Sequence, residues 1–509
     1  MGAFKDTVNR FGSMQEVHAT AETQKLSHGL VISNDGTGEE DIDTKYFPGH
    51  RARVKLPALD RGLDWLVRAS GSAVMFFFIQ VVLLVWVFLG IPFSKLEIWA
   101  IVMGDGQAIF SYVFDSFLMR QQLNNHRDFL IAVGELSSRN ISQMRMLEAL
   151  SRDFDFSKAT LTESEEEILV DLPKETRFGQ AMTTISIVVG HLGSLIFYWA
   201  TIFVWLGFGP VNHWSNLWQL DLNSALSAWM VFTFSFLAIV RERHADYSEK
   251  CLDAVFNVDA RLESRLRTLT GDQQDNTEVI ILSPRVNVVQ RGIFFYSKLV
   301  GTLVGIVILT AVFTIWLAVG PLTDFDSNWW LIIGTVAGLV GTLDGFVLRN
   351  IQMKLGHREL PEVDKIHKQD LAIAVMTKLP PINQSDTNKG SLSLRVSDAV
   401  LKVCAHELSV VVGLVFIISL IIGSSVMRWN TPGQLLCNIP PMIVESFFMQ
   451  VLITGHNASD AKRRADLKAF YERRSKLLSA ANGISQHRVV EARQIQVTTT
   501  SSKGWDSET

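Results

Sequence analysis

Carboxylates stand in this chain where an apolar helix has no ordinary use for them. The stretch from Trp99 to Asp128, WAIVMGDGQAIFSYVFDSFLMRQQLNNHRD, is of membrane length and carries Asp105 and Asp115. A carboxylate costs at least ~2.5 kcal/mol in hydrocarbon unless it faces a cavity, water or a cation. Asp105, Ala108, Tyr112, Asp115, Met119 and His126 fall within one wedge of that helix, because steps of three, four, seven and eleven residues return to one side. Asp115 and His126 point the same way, roughly 16 Å apart.

Three later stretches repeat the pattern. Placing Asp115 over Thr233, Asp344 and Glu445 brings Met119 onto Met449, His126 onto His244 and His456, and Trp99 onto Trp429. Trp218 and Trp329 lie within a residue of that same depth. The last of these faces reads Asn438, Met442, Glu445, Met449 and His456, with Cys437 beside it, while Asp221 and Asn223 lie near the outer end of the second. Oxygen, nitrogen and sulfur donors together suit Fe(II), Zn(II) or Cu better than Mg or Ca. The candidate metal-contacting residues are therefore Asp105, Asp115, His126, Asp221, Asn223, Asp344, Cys437, Asn438, Met442, Glu445 and His456. Two further acids, Asp324 and Asp326, are expected at an outer mouth, where they would concentrate cations.

Plainer roles stay open for each. The histidines fit solvated or interfacial positions. Asp105, inside Gly104-Asp105-Gly106, fits the cap of an irregular helix start. Asp115, Asp344 and Glu445 fit ion pairs with groups such as Arg120 or Arg349, and Cys437 and Met442 fit a core. Pro440 and Pro441 are expected to break the last apolar stretch near its middle, as a gate or binding notch. His191 is expected inside another, as a packing residue or a proton relay.

The elements that must position these residues follow from composition. The 509 residues are 48% hydrophobic and 10% aromatic, and bunched into apolar runs, which defines a polytopic membrane protein. A net charge of -4 argues against a nucleic-acid partner. Three scattered cysteines make no disulfide framework. No Walker A pattern is present, and His406-Glu407 fails as HExxH because Val410 stands in the second histidine's place. No catalytic constellation and no resident cofactor are expected.

Eight spans are read at roughly 70–91, 98–119, 181–207, 218–240, 296–320, 329–348, 406–426 and 434–454. The short connections within pairs hold only Lys95 and Arg428 as basic residues, whereas Arg51, Arg120, Arg241, Arg349 and Arg463 mark the other side. The positive-inside rule then puts both termini and the long connections in the cytoplasm. The expected fold is an all-α polytopic membrane protein whose eight transmembrane helices form four parallel two-helix repeats with cytoplasmic helical extensions. A pseudo-symmetry axis along the membrane normal would place the even-numbered spans around a central path. The expected organisation is a disordered cytoplasmic tail at 1–50, repeats at 61–152, 176–270, 291–370 and 396–480, and a cytoplasmic tail at 481–509, with linkers near 155–175 and 378–395.

The stretches WLGFGPVNHWSNLWQLDLNSALSAWMVFTFSFL and IWLAVGPLTDFDSNWWLIIGTVAGLVGTLDGFVLRN resemble the low-affinity iron permease family. With WAIVMGDGQAIFSYVFDSFLMRQQ and TPGQLLCNIPPMIVESFFMQVLITGHN, the resemblance runs from about 60 to 480. It implies uptake of Fe(II) at the plasma membrane, with copper and zinc also accepted, and supplies no ligand set. The residues read as a facilitative divalent-metal importer, whose partners are the ion and the lipid bilayer and whose driving force is the membrane potential. A cation channel or proton-coupled carrier built on the same pore, and a metal-sensing scaffold, remain alternatives.

Overall fold

A computed structural model describes residues 12–24, 57–93, 97–154, 172–325, 327–378 and 392–503. Asp326 and most of both expected linkers lie outside them. A short amphipathic helix, α1 (Ala58–Ser70), leads into the apolar α2 (Ala73–Phe93), and then comes a long helix, α3 (Glu97–Asp153). The same succession returns as α4 (Arg177–Val189), α5 (Leu192–Gly207) and α6 (Asn216–Thr270), and as α7 (Val288–Val300), α8 (Leu303–Val319) and α9 (Ser327–Thr377). It returns once more as α10 (Leu392–Ala405), α11 (Glu407–Val426) and, after the short α12 (Thr431–Leu436), α13 (Ile439–Lys503).

The break between each short helix and its apolar successor is written in the sequence. Gly71, Gly190 and Gly301 end α1, α4 and α7. At two of these breaks the next residue caps the following helix with its side chain: Ser72 Oγ accepts from Met75 N–H at 3.2 Å and His191 Nδ1 from Gly193 N–H at 3.0 Å. His406 Nδ1 does the same for Leu408 N–H at 3.1 Å. The expected span 181–207 is consequently bent by 52°. His191 is an exposed N-cap, not a residue inside a continuous span, which removes both the relay and the packing role expected of it. Pro440 and Pro441 likewise break nothing: α13 begins at Ile439, so both occupy its first turn, where a missing N–H costs no helical hydrogen bond. The discontinuity lies just before them, between α12 and α13.

Six helices among the described residues are long and apolar enough to cross a membrane, or seven if the bent α4–α5 pair is one span. The expected span 98–119 is the first part of α3 and is not among the six. The outer helices α2, α8 and α11 leave large apolar side chains such as Phe78, Phe88, Val307, Ile315 and Val415 exposed, a belt suited to lipid.

The long helices make the core. They pack in the cyclic order α3, α6, α13, α9 and back to α3. Each outer pair leans on the next long helix in that cycle: α2 on α6, α4 on α13, α10 and α11 on α9, α7 and α8 on α3. The carbonyls freed at the bends are satisfied there, Gly190 O by Thr454 Oγ1 at 2.8 Å and Ala405 O by Asn350 Nδ2 at 2.8 Å. Gly301 allows this approach, because a Cβ on it would stand 3.2 Å from the backbone nitrogen of Arg120.

The C-terminal halves of the long helices close into a second bundle around Phe129, Val133, Leu136, Val255 and Phe470. Below this, Arg139 pairs with Asp259 at 3.1 Å and Glu263 at 2.8 Å, and Arg474 with Asp370 at 2.9 Å and Asp259 at 3.2 Å, all buried. Two three-residue strands, β1 (Val17–Ala19) and β2 (Val279–Ile281), pair antiparallel against α3. The N-terminal stretch expected to be a structureless tail therefore contains a seated segment, with Ala19 and Ala21 buried and Ala21 N–H bonded to Ser138 Oγ at 3.2 Å. At the other end α13 continues through the expected tail boundary, and Ala481 and Ile484 are buried.

Candidate functional site

The inward faces of α3, α6, α9 and α13 carry polar side chains in layers. Nearest the short connections, Asp105 and Asn223 are buried, and Asp105 Oδ2 and Asn223 Oδ1 have no hydrogen-bond partner. Asn223 Nδ2 abuts Gly104, and Asn438 Nδ2 abuts Gly334 in the same manner, each 2.9 Å from where a Cβ would be. The glycines of α3 and α9 thus make room for amides from α6 and α13. Helix α3 is continuous through Gly104-Asp105-Gly106, so Asp105 caps nothing.

Next come Asp115, Thr233, Asp344 and Glu445, each at most 2% exposed. The three carboxylates are electrostatic neighbours. Asp115 Oδ2 and Glu445 Oε1 have no hydrogen-bond partner, and Asp344 faces the Tyr296 hydroxyl of α7. Arg120 is taken by Asp60 and Asp64, and Arg349 by Leu401 O and Gln352, so the ion pairs that would make these acids structural are not formed. Gly341 lets Glu445 lie against α9, since a Cβ there would stand 2.6 Å from its Oε1. Buried acceptors without donors are costly, and a cation offsets that cost directly.

One turn on, Met119, Leu237, Leu348 and Met449 form an apolar layer, each no more than 1% exposed. Beyond it His126, His244, Leu355 and His456 line a cavity of about 100 Å³. His244 Nδ1 faces His456 Nε2 at 3.0 Å and Asp460 at 3.3 Å, and His244 Nε2 meets Thr183 Oγ1 at 3.0 Å. His126 Nδ1 lies 2.7 Å from Glu359, while His126 Nε2 has no partner. Burial acts to raise the Glu359 carboxyl, but Arg463 at 2.9 Å and His126 outweigh it and hold it below the usual carboxylate range.

Other candidates are placed elsewhere. Asp221 is exposed, turned away from Asn223 because two helical residues differ by about 200°. Cys437 is buried but engaged with Ser424 of α11 at 2.9 Å, and Met442 Sδ accepts from Ser227 Oγ at 3.7 Å within the core. Asp324 is exposed in the connection after α8. Among the described residues, no three of His, Cys, Asp or Glu converge on one coordination shell. The donors are spread in layers along an axis instead.

A family model described as low affinity iron permease matches residues 393–504. The chain is 35% identical over 468 residues to the low-affinity iron/zinc ion transport protein fet4 of Schizosaccharomyces pombe, a match covering 89% of this chain and 80% of that protein. The chain belongs to the low-affinity iron permease family. The low-affinity Fe(2+) transport protein of Saccharomyces cerevisiae is 32% identical over 462 residues, 82% of each chain. No solved structure matches. This permease is a multi-pass membrane transport protein, not an enzyme.

Several parts of the permease's site escaped the sequence reading. Trp86 stacks on Trp99 at 4.3 Å, Trp205 on Trp218 at 3.6 Å and Trp316 on Trp329 at 4.2 Å, tying α2, α5 and α8 to α3, α6 and α9. A constant spacing of thirteen residues announced all three. Glu359 and Arg463 lay in charged stretches indistinguishable from solvated surface.

Proposed function

We propose that this permease carries Fe(II), and Zn(II) as a second substrate, across the plasma membrane through the axis between α3, α6, α9 and α13. Eight spans in four parallel repeats, with both termini cytoplasmic, surround that axis. In support, the four long helices form a closed cycle, and equivalent positions of all four line one cavity. Copper, implied by the resemblance, is named by neither relative.

The observation that carries the reading is the buried layer of Asp115, Asp344 and Glu445, in which Asp115 Oδ2 and Glu445 Oε1 lack hydrogen-bond partners. Asp105, Asn223 and Asn438 take part of the ion's water from the outer side, the carboxylates compensate its charge, and His126, His244 and His456 receive it past the apolar layer. Layers of few donors suit permeation, which needs sites weak enough to release the ion. The membrane potential supplies ~4.6 kcal/mol per 100 mV for a doubly charged ion, so no chemical fuel enters.

The test is radiolabelled Fe(II) uptake into sealed vesicles with and without an imposed potential, comparing wild type with Asp115→Asn/Glu445→Gln. Wild-type uptake that grows with potential and is lost in a normally inserted variant supports the reading. Equal uptake by both removes the carboxylates from the path. Uptake that follows an imposed pH gradient instead favours proton coupling.

A further inference from the structure

Four long helices wall the histidine cavity, so four seams separate it from the surroundings. The α3–α9 seam is closed by His126 and Glu359 at 2.7 Å, and the α9–α13 seam by Glu359 and Arg463 at 2.9 Å. The α6–α13 seam is closed by His244, His456 and Asp460, and strapped outside by Arg464 on Glu175 at 2.9 Å. Straight ahead lie the Phe129–Phe470 cluster and the buried Arg139, Asp259, Arg474 and Asp370 network. A hydrated dication has no route through an apolar plug followed by closed, buried ion pairs.

The α3–α6 seam differs. Gln121 Nε2 donates to Glu242 Oε2 at 3.1 Å across it, and beyond lies a second cavity of about 270 Å³. The two cavities share Gln121, Asn125, Ala245, Ser248 and Arg463. Glu242, Asp246 and Glu249 line the second cavity at spacings of four and three, one face of α6 running from the half-buried window to the exposed surface. Of the arginines that line the two cavities, Arg463 is paired with Glu359 and stacked 4.1 Å over Phe129, Arg68 stands beside Glu242, Arg127 is paired with Asp128, and Arg241 donates to Leu118 O. At the inner end the unpartnered His126 Nε2 is buried in the first cavity's wall.

We infer that the divalent cation leaves the permease sideways, through the window between α3 and α6, along the Glu242–Asp246–Glu249 face. This rests on the transport reading above and adds the exit to it. An axial exit through the second bundle is excluded by the same packing that holds the bundle together.

The experiment uses the full chain with Cys404→Ser, since Cys251 and Cys437 are buried. Ala245→Cys is added at the window, and Lys468→Cys on the exposed face of α13 serves as a control. Reconstituted protein is treated on the cytoplasmic side with a positively charged methanethiosulfonate, labelling is verified by mass, and Fe(II) uptake is measured. Labelling Ala245→Cys should lower uptake at least tenfold, with recovery after thiol reduction, while labelled Lys468→Cys keeps its rate. Glu242→Gln/Asp246→Asn/Glu249→Gln should lower maximal uptake several-fold without changing the half-saturating Fe(II) concentration. Full uptake by the labelled Ala245→Cys protein overturns the window. Absence of uptake by the unlabelled Cys404→Ser and wild-type proteins overturns the transport reading itself.

Discussion

Glu445→Gln is the sharpest perturbation of the carboxylate layer, because it removes one charge and little volume. Glu445 is 2% exposed, Oε1 lacks a partner, and Asp115 and Asp344 are its charged neighbours. A dication ~4 Å from one carboxylate gains a gross ~8 kcal/mol at an effective dielectric constant of 20, twice the value for unit charges. Most of this is offset by lost hydration, and removing one partner of a buried charge pair costs ~2–5 kcal/mol in practice. Two carboxylates remain, so the lower end applies, and ~2 kcal/mol on the barrier is roughly a thirtyfold fall in rate. Initial Fe(II) uptake at fixed potential, normalised to inserted protein, should therefore fall about thirtyfold in Glu445→Gln, within the tenfold steps set by ~1.4 kcal/mol each. Asp221→Asn, on an exposed face of α6, should stay near wild type. Uptake by Glu445→Gln within twofold of wild type would refute the placement of this carboxylate on the path.

Thr233→Asp, which supplies the layer's fourth carboxylate, should bind the ion more tightly and pass it more slowly, seen as a lower half-saturating concentration with a lower maximal rate; a change in neither would separate Thr233 from the path. Leu237→Ser wets the apolar layer and should raise passive cation flux about tenfold, equivalent to ~1.4 kcal/mol off the barrier, in a vesicle leak assay. Arg474→Met leaves Asp259 and Asp370 short of a buried cation and should destabilise the chain by ~3–5 kcal/mol in denaturant unfolding in detergent. Because the folded Glu359 carboxyl is held below its unfolded value, its contribution to stability is complete above the ordinary glutamate range and is lost as pH falls through the folded value. Thermal unfolding of Glu359→Gln should accordingly show a shallower acid limb than wild type.

The level shared by Asp115, Thr233, Asp344 and Glu445 was legible because a helix surface returns every three to four residues and costly residue types recurred on that period. The same alignment pointed to Met119 and Met449, and through them to Leu237 and Leu348, whose apolar character hid them among lipid-facing leucines. Asp221 was separable from Asn223 by helical angle alone. The bends carry a local signal, a glycine followed by Ser72, His191 or Thr302, that hydropathy averaged over a whole span passes over. The choice of neighbour was not legible at all. Apart from Gln80, whose Nε2 donates to Ser235 Oγ of α6, the faces of α2 that meet protein and lipid are both apolar, and the assembled packing distinguishes them.

The leaning of every outer pair on the next long helix has a consequence for biosynthesis. On the eight-span reading proposed above, α3 brings Asp105 and Asp115 into lipid with the first hairpin, before α9 and α13 exist to surround them, and the α7–α8 pair that finally covers it is made two hairpins later. With that topology the nascent chain holds uncompensated carboxylates near the insertion machinery until the last helix arrives. Truncation after any of the first three hairpins should leave a product that the cell's membrane quality control recognises, because an open ring exposes to lipid the acids that the closed one hides.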